Sequence, residues 1–328
     1  MFRTALPAVP APFRIGHADR LLLLGSCFTE HIGARLAGGK FPALLNPFGI
    51  VYNPASLLSG LARLWAADRP FGAEDLFAHG GLWRSWAHHG SFAHPECEAA
   101  LQGINTAYAQ AAQWLPRCSR LLITFGTADV FALRDTGQIV ANNHKVPAAQ
   151  FSARRLSLTE IVEQAMPLLN ALHARNADLR VVLTVSPVRH LREGAIANQR
   201  SKATLLLACE QLCQRLPFVH YFPAYELLLD DLRDYRFYAA DMVHPSEVAV
   251  DYIWQHFCDT YFSSDTSALL RDISKLQAAA RHRPLHPGTP EHQVFLEKHL
   301  AQVGHLQRAW PELDFGPERA AFSVEGAG

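Results

Sequence analysis

Four short apolar runs along the chain are rich in leucine or β-branched residues, and each ends in a turn that leads into a helical pattern. They occupy residues 20–24, 120–125, 179–185 and 219–223. Runs of this length, followed by apolar residues at helical spacing, are typical of strand–helix units. The pattern therefore predicts an α/β fold with a mostly parallel sheet, helices on both faces and a ligand crevice at the carboxyl ends of the strands.

Helices are predicted from apolar spacing and from the residues that commonly begin and end helices. Residues 29–37 are closed by Gly38 and Gly39, and Asn53 with Pro54 marks the start of the next helix. Further helices are predicted at 159–175, 198–216, 224–232 and 245–262.

The pattern divides the chain into three segments. Residues 1–17 are predicted to form an N-terminal extension, and residues 18–262 the α/β domain. Residues 263–328 are predicted to form a C-terminal helical appendage that packs on this domain or serves a subunit contact.

Composition excludes several classes of protein. The 328 residues are 49% hydrophobic and 18% charged, which fits a chain with a large core. Lys plus Arg equals Asp plus Glu at 30 each, so no net charge favours nucleic acid or a membrane surface. No apolar run approaches the roughly 20 residues of a membrane span, and prolines interrupt the start of the chain where a secretory signal would be apolar. We expect a cytoplasmic protein, and composition leaves its oligomeric state open.

Cysteine and histidine spacing predicts neither a metal site nor a disulfide framework. The six cysteines show no CxxC pair, and the seventeen histidines include no HxH or HExxH motif. Several histidines lie between His79 and His94, so a metal-dependent hydrolase built on this cluster is one hypothesis for the function. The main expectation is no metal and no cofactor.

The first predicted strand ends in Gly25, Ser26 and Cys27 and passes directly into a helix. A nucleophile at this junction lies at a helix N-terminus, where free N–H groups and the helix dipole stabilise a thiolate or an oxyanion. The junction also fits an ordinary strand–turn–helix connection that carries an inert thiol.

A second group of residues, Asp241 to Pro245, precedes another predicted helix. With Pro245 as the first helical residue, His244 lies on the loop, and the three-residue offset lets Asp241 hydrogen-bond to its imidazole. Such a pair forms an oriented general base. A capped helix start with an incidental Asp and His is the alternative.

Seven sequence blocks in order resemble the GSCFA family over about residues 18–262. The blocks are GSCF with Glu30, NPFGIVYNP (46–54), TFGTADVF (124–131), NNHKVP (142–147), TVSPVRH (184–190), NQRSKATL (198–205) and YRFYAADMVHPSEVAVDYIW (235–254). The family is grouped with the SGNH/GDSL hydrolases. The resemblance implies a three-layer α/β/α, flavodoxin-like fold with a five-stranded, mostly parallel sheet.

The resemblance also implies a catalytic triad. In the superfamily, a Gly-Asp-Ser block carries the serine nucleophile and an Asp-x-x-His block completes the triad, which Asp241 and His244 match. On the first block, Cys27 falls at the nucleophile position and Ser26 stands where Asp is usual. This implies a Cys-His-Asp triad in which the imidazolium and the helix terminus lower the thiol pKa, with Ser26 as a rival nucleophile.

The implied oxyanion donors depart further from the superfamily pattern. Gly49 matches its glycine block, but Ala128 replaces the asparagine that supplies a side-chain donor. Asn143 or Asn46 could take that place, although each also fits a turn.

Two functions of different classes follow. One is an acyl ester hydrolase or acyltransferase acting on a small-molecule or glycan acyl substrate, with the cell envelope as one source. The other is a non-catalytic binding module that keeps a degenerate cleft.

Overall fold

A computed structural model describes residues 4–323. The first three residues of the predicted N-terminal extension and the last five of the predicted appendage lie outside the described residues. In chain order the described strands are β1 (Leu21–Gly25), β2 (Ala43–Leu45), β3 (Leu76–His79), β4 (Leu82–Ser85), β5 (Arg120–Phe125), β6 (Asp129–Leu133), β7 (Ile139–Val140), β8 (Phe151–Arg155), β9 (Arg180–Val185) and β10 (Val219–Phe222). The described α-helices are α1 (Cys27–Gly38), α2 (Pro54–Ala66), α3 (Cys97–Trp114), α4 (Leu158–Arg175), α5 (Gly194–Arg215), α6 (Ala224–Glu226), α7 (Glu247–Tyr261), α8 (Ser264–Ala280), α9 (Pro290–Ala309) and α10 (Gly316–Phe322).

Five parallel strands form the central sheet in the order β10-β9-β5-β1-β2. Counted along the chain this is the order 2-1-3-4-5 of flavodoxin-like folds. The predicted fold class is confirmed, and the four strands predicted from apolar runs are present with bounds that differ by at most one residue. The three residues of β2 are too short to give a strand signal in the sequence.

Alternation along β1 divides the core into two layers. Leu22 and Leu24 pack with helices α2, α3, α4 and α5, whereas Leu21 and Leu23 pack with α1, α7 and the turn after α6. Successive side chains of a strand point to opposite faces, so a run of four buried leucines places apolar surface on both sides of the sheet. Helices cover both faces, which gives three layers.

Two antiparallel additions were not predicted. Strands β3 and β4 form a hairpin, and β6 pairs with both β7 and β8. Their strands are short, and β8 alternates buried and exposed residues only weakly, so neither gave a clear period in the sequence. Asp129, at the start of β6, binds Arg155 across the strands at 2.8 Å.

The prediction that Pro245 is the first residue of a helix is wrong. Helix α7 begins at Glu247, and the Ser246 side chain caps it by accepting the Ala249 N–H at 3.3 Å. Pro245 instead forms an isolated bridge with Tyr238. The serine oxygen accepts one of the first N–H groups of the helix, which have no partner within the helix itself. The helix therefore begins after Ser246 and not at Pro245.

Helices α8, α9 and α10 share an apolar cluster of their own. Lys40, just after α1, contacts Glu318 of α10 at 3.0 Å and donates to the Asp314 carbonyl oxygen at 2.6 Å. Gln277 of α8 donates to the Gly38 carbonyl at 2.8 Å. The C-terminal helices therefore pack on the α/β domain at the end of α1. No helix within residues 4–323 is long and apolar enough to cross a membrane.

Candidate active site

Strand β1 ends at a glycine that no other residue replaces without strain. Gly25 has a φ of 149°, and a Cβ at this position would lie 2.5 Å from the Thr124 carbonyl oxygen of β5. Both the left-handed φ and the close approach favour glycine. The chain thus turns sharply into α1 between β1 and β5, where the strand order reverses and ligands of such folds bind.

Ser26 and Cys27 have different environments at this turn. The Ser26 side chain is fully buried, and its Oγ accepts the Phe28 N–H at 3.3 Å as the cap of α1. Cys27 is the first residue of the helix and is partly exposed. A ligand in the site can therefore reach the thiol, whereas the serine hydroxyl is engaged in capping the helix.

Burial raises the pKa of the Cys27 thiol. The N–H groups of Phe28 and Cys27 and the charge of Lys202 act in the opposite direction, while the Glu30 carboxylate adds to the rise. The expectation that this pKa is lowered is wrong, because loss of water around the sulfur outweighs the helix terminus.

Asp241 and His244 form a hydrogen-bonded pair. Asp241 Oδ2 lies 2.6 Å from His244 Nδ1, and Oδ1 accepts the N–H groups of Val243 and His244, both at 2.9 Å. Met242 adopts a left-handed φ of 57° that closes this turn. These bonds, the His244 N–H first, lower the pKa of Asp241 to about 2, so the carboxylate is ionised near neutral pH and orients the ring.

Backbone contacts attach this loop to the end of β9. The Val243 carbonyl accepts the Arg189 N–H at 3.2 Å. Within residues 4–323, the Cys27 thiol and the His244 ring make no hydrogen bond with each other. The structure therefore contains the predicted Asp–His pair, but it does not join that pair to the predicted nucleophile.

His190 and Tyr52 lie between these two groups. The ring of Tyr52 meets His190 edge-on at 5.2 Å, and His190 Nε2 is buried without a hydrogen-bond partner. Burial, followed by the charges of Lys202 and His244, lowers the pKa of His190 to about 3. Cys27 in turn acts electrostatically on Tyr52, whose pKa is raised mainly by burial. His190 is thus a neutral ring whose buried Nε2 has no hydrogen-bond partner among residues 4–323.

The predicted oxyanion donors Gly49 and Asn143 both lie in turns, and of these two donors only the Gly49 N–H is itself engaged there. The Gly49 N–H donates to the Asn46 carbonyl at 2.7 Å, so the prediction that it faces an oxyanion disagrees with this conformation. Asn143 accepts the Lys145 N–H at 3.3 Å within its own loop. The next residue, His144, hydrogen-bonds to the Ser85 carbonyl at 2.8 Å and thereby packs the loop against β4.

Asn46 retains a free donor beside the turn at Gly25 that follows β1. Its Oδ1 accepts the Gly25 N–H at 2.9 Å, and its Nδ2 is buried without a partner. Because a buried amide donor without a partner is destabilising, such a group is suited to a ligand that supplies an acceptor.

Lys202 of α5 is a site residue that the sequence analysis missed. It is fully buried, and its Nζ donates to the carbonyl oxygens of Gly126 at 2.6 Å and Ser186 at 2.7 Å. Burial lowers its pKa to about 7, and Cys27 acts to raise it. The signal was present in the sequence: Lys202 shares the apolar face of α5 with Leu205 and Cys209, where a lysine is unusual.

The histidines between 79 and 94 make ordinary contacts. His88 is 1% exposed, and its Nδ1 hydrogen-bonds to Ser85 Oγ at 3.0 Å, while His89 Nδ1 bonds Ser91 Oγ at 3.0 Å. Among the described residues, no three or more His, Cys, Asp or Glu side chains form a group that could hold a metal ion.

The 2-1-3-4-5 parallel sheet covered by helices on both faces, with a sharp turn at Gly25 after β1 and an Asp-x-x-His loop before α7, defines a three-layer α/β protein with flavodoxin-like strand order. The chain belongs to the GSCFA family: the model described as "GSCFA family" matches residues 20–257. A second model, "GSCFA domain protein, C-terminal domain", matches residues 273–325.

Comparisons with other proteins add little detail. No curated protein matches the chain. Among solved structures, a carbohydrate esterase family 3 protein from Talaromyces cellulolyticus is 11% identical, with a TM-score of 0.32 and coverage of 78% of this chain and 99% of its own. The acetyl xylan esterase Est2A from the rumen bacterium Butyrivibrio proteoclasticus is also 11% identical, with a TM-score of 0.31 and coverage of 76% and 64%.

Proposed function

We propose that this protein hydrolyses or transfers acyl groups through a thioester on Cys27. The thiolate attacks the carbonyl carbon of an ester or thioester, and the expelled group takes a proton from the His244 imidazolium. Water, or a hydroxyl or amine of an acceptor, then returns a proton to His244 and attacks the thioester, which restores the thiolate. The acceptor decides between hydrolysis and transfer.

The observation that carries this proposal is the bond of 2.6 Å between Asp241 Oδ2 and His244 Nδ1. It holds Nδ1 as the protonated nitrogen and leaves Nε2 to exchange protons with the substrate. The same carboxylate accepts two backbone N–H groups through Oδ1, which fixes it in the loop beside the ring.

Oxyanion stabilisation is assigned to Asn46 Nδ2 and to the backbone N–H of Cys27. The unpartnered Nδ2 supports the first assignment, and the position of Cys27 at the start of α1 supports the second. We propose a small-molecule or glycan acyl ester as the substrate class. The free state of all six cysteines fits the reducing cytoplasm that we propose as its location.

Intact-protein mass spectrometry after brief exposure to activated short-chain esters tests the proposal. We expect one acyl adduct on the wild type, on Ser26→Ala and on the control Cys97→Ala, which removes another partly buried thiol, and none on Cys27→Ala. If the activated esters are nitrophenyl esters, the nitrophenolate leaves without needing a proton, so His244→Ala should still be acylated. Its adduct should survive about 100-fold longer, because no imidazole takes a proton from the attacking water. An adduct kept by Cys27→Ala and lost by Ser26→Ala would assign the nucleophile to Ser26.

A non-catalytic binding module is the second candidate. It is favoured by the missing hydrogen bond between Cys27 and His244 and by the raised pKa of the thiol. If no variant forms an adduct and Cys27 alkylates no faster than Cys97 near neutral pH, this function replaces the first.

A further inference from the structure

Lys202 is a lysine buried in the centre of the molecule whose described partners are two carbonyl oxygens and an aromatic ring. Its Nζ lies 5.8 Å from the Tyr225 ring, in addition to its bonds with Gly126 and Ser186. Lysine is almost never fully buried without an ion pair, because removing its charge from water is strongly unfavourable. A nearby acidic group that ionises would stabilise the ammonium form of this lysine.

The register of the sheet places the amine beside the nucleophile turn. Gly25, Thr124 and Thr184 are aligned across β1, β5 and β9. Gly126 and Ser186, whose carbonyls bind Nζ, each follow this row by two residues, as Cys27 follows Gly25. The lysine therefore spans the carboxyl ends of β5 and β9 at the same level along the strands at which the thiol begins α1.

The two carbonyls use two of the tetrahedral positions around Nζ. A neutral amine keeps its lone pair for a third partner, and an ammonium keeps a third N–H. Cys27 and Lys202 influence each other electrostatically, and Cys27 is the acidic group that acts to raise the pKa of the amine.

We infer that Lys202 accepts the thiol proton of Cys27, so that a thiolate and an ammonium form together at the strand ends. The Sγ–H bond breaks, an Nζ–H bond forms, and the electron pair stays on sulfur. The inference rests on the proposed function, in which Cys27 attacks, and it leaves His244 with Asp241 to serve the leaving and accepting groups.

The surrounding charges are consistent with this pair. Glu30, on the same helix as Cys27, opposes the thiolate. Tyr52 and Tyr225 stay neutral because burial raises both phenol pKa values, and His190 stays neutral because its pKa is about 3. Burial by itself raises the Cys27 pKa and lowers that of Lys202, and joint ionisation relieves both effects because each charge stabilises the other.

The test is the rate of Cys27 alkylation by iodoacetamide as a function of pH, measured by peptide mass spectrometry. Lys202→Met should slow Cys27 at pH 7.5 by about tenfold or more and move its midpoint to higher pH, because the thiolate loses its cation. Cys97 in the same samples serves as the internal reference, and the matched control Lys275→Met, which changes an exposed lysine of α8, should change the Cys27 rate less than about twofold. A folded Lys202→Met protein with the wild-type rate and midpoint would overturn the inference.

A second measurement does not substitute the lysine. The chain has five lysines, so ¹³C-labelled lysine gives few NMR signals to follow against pH. We expect one to titrate far below the others in the wild type and lower still in Cys27→Ala, which removes the thiolate. Titration of all five together, or an unchanged midpoint in Cys27→Ala, contradicts the inference.

Neither measurement uses an acyl substrate. An acyl adduct together with alkylation that ignores Lys202 would therefore reject the lysine inference and keep the proposed function. Alkylation that depends on Lys202, without any acyl adduct, would keep the lysine inference and reject the proposed function.

Discussion

The side-chain oxygen of Asn46 accepts the backbone N–H of Gly25 at 2.9 Å and so joins the end of β2 to the nucleophile turn after β1. This bond orients the amide and leaves its Nδ2 buried without a partner. One side chain thereby supports the turn and keeps a donor for a ligand.

Asn46→Asp separates these two roles. The carboxylate still accepts the Gly25 N–H, but the second oxygen cannot donate and repels a developing oxyanion. We expect the rate of Cys27 acylation to fall about 10²- to 10³-fold, as for loss of one oxyanion donor. Cys27 alkylation should fall less, because there the new carboxylate opposes only the thiolate, as Glu30 does. Equal loss of acylation and alkylation would show that Asn46 supports only the turn.

Gly25→Ala should destabilise the fold by about 2 kcal/mol or more, because the new Cβ meets a backbone oxygen at a left-handed φ. Gly38→Ala is the matched control: nothing lies within 4 Å of a Cβ there, and helix α1 contains the position. We expect the control to be neutral or slightly stabilising. Urea unfolding of both variants measures the difference, and similar free energies of unfolding would contradict the role of Gly25.

Asp241→Asn should reduce acyl turnover by about 10²- to 10⁴-fold, because the amide no longer holds His244 in the required tautomer. Asp251→Asn, which changes an exposed carboxylate of α7 paired with Arg35, is the control and should keep its activity. Steady-state kinetics of both variants, with the ester that acylates the wild type fastest, measure the turnover. Retained turnover in Asp241→Asn would remove the pair from the mechanism.

His88 predicts a loss of stability in acid. Burial lowers its pKa from 6.5 to about 3, so the folded protein keeps the ring neutral where the unfolded chain binds a proton. The free energy of unfolding is therefore unaffected by His88 above pH 6.5, and it falls by about 1.4 kcal/mol per pH unit as pH decreases from 6.5 towards 3. His88→Phe keeps the packing against Phe71 and Phe92 and cannot titrate.

The free energy of unfolding of His88→Phe should therefore rise relative to the wild type as pH falls through this window. Chemical denaturation of both proteins between pH 4 and pH 8 measures it. A difference that does not change with pH would contradict the account.

Features that depend on neighbours in the chain were accessible from the sequence. The contiguous leucines of β1 predict a strand that is buried on both faces, because they leave no polar face for solvent. The Asp241–His244 bond was predicted because its partners are three residues apart and a single turn brings them together. The wrong start of α7 shows the limit of such reasoning, since Ser246 and Pro245 both suit a helix start and the bridge to Tyr238 decides between them.

The residues that complete the site depend on distant contacts. Lys202 meets the carbonyl of Gly126 across 76 positions of sequence, and Asn46 meets Gly25 across 21, so no local period reveals these contacts. The apolar face of α5 marks Lys202 only as an unusual buried lysine. The pKa of Cys27 likewise depends on how much water the folded chain removes from its sulfur, and composition does not contain that quantity. Four strands of the central sheet, the turn after β1 and the Asp–His pair were predictable from the sequence, because these follow from local geometry. Tertiary packing alone decided which polar groups surround the thiol, because burial and long-range contacts arise only when the sheet is assembled.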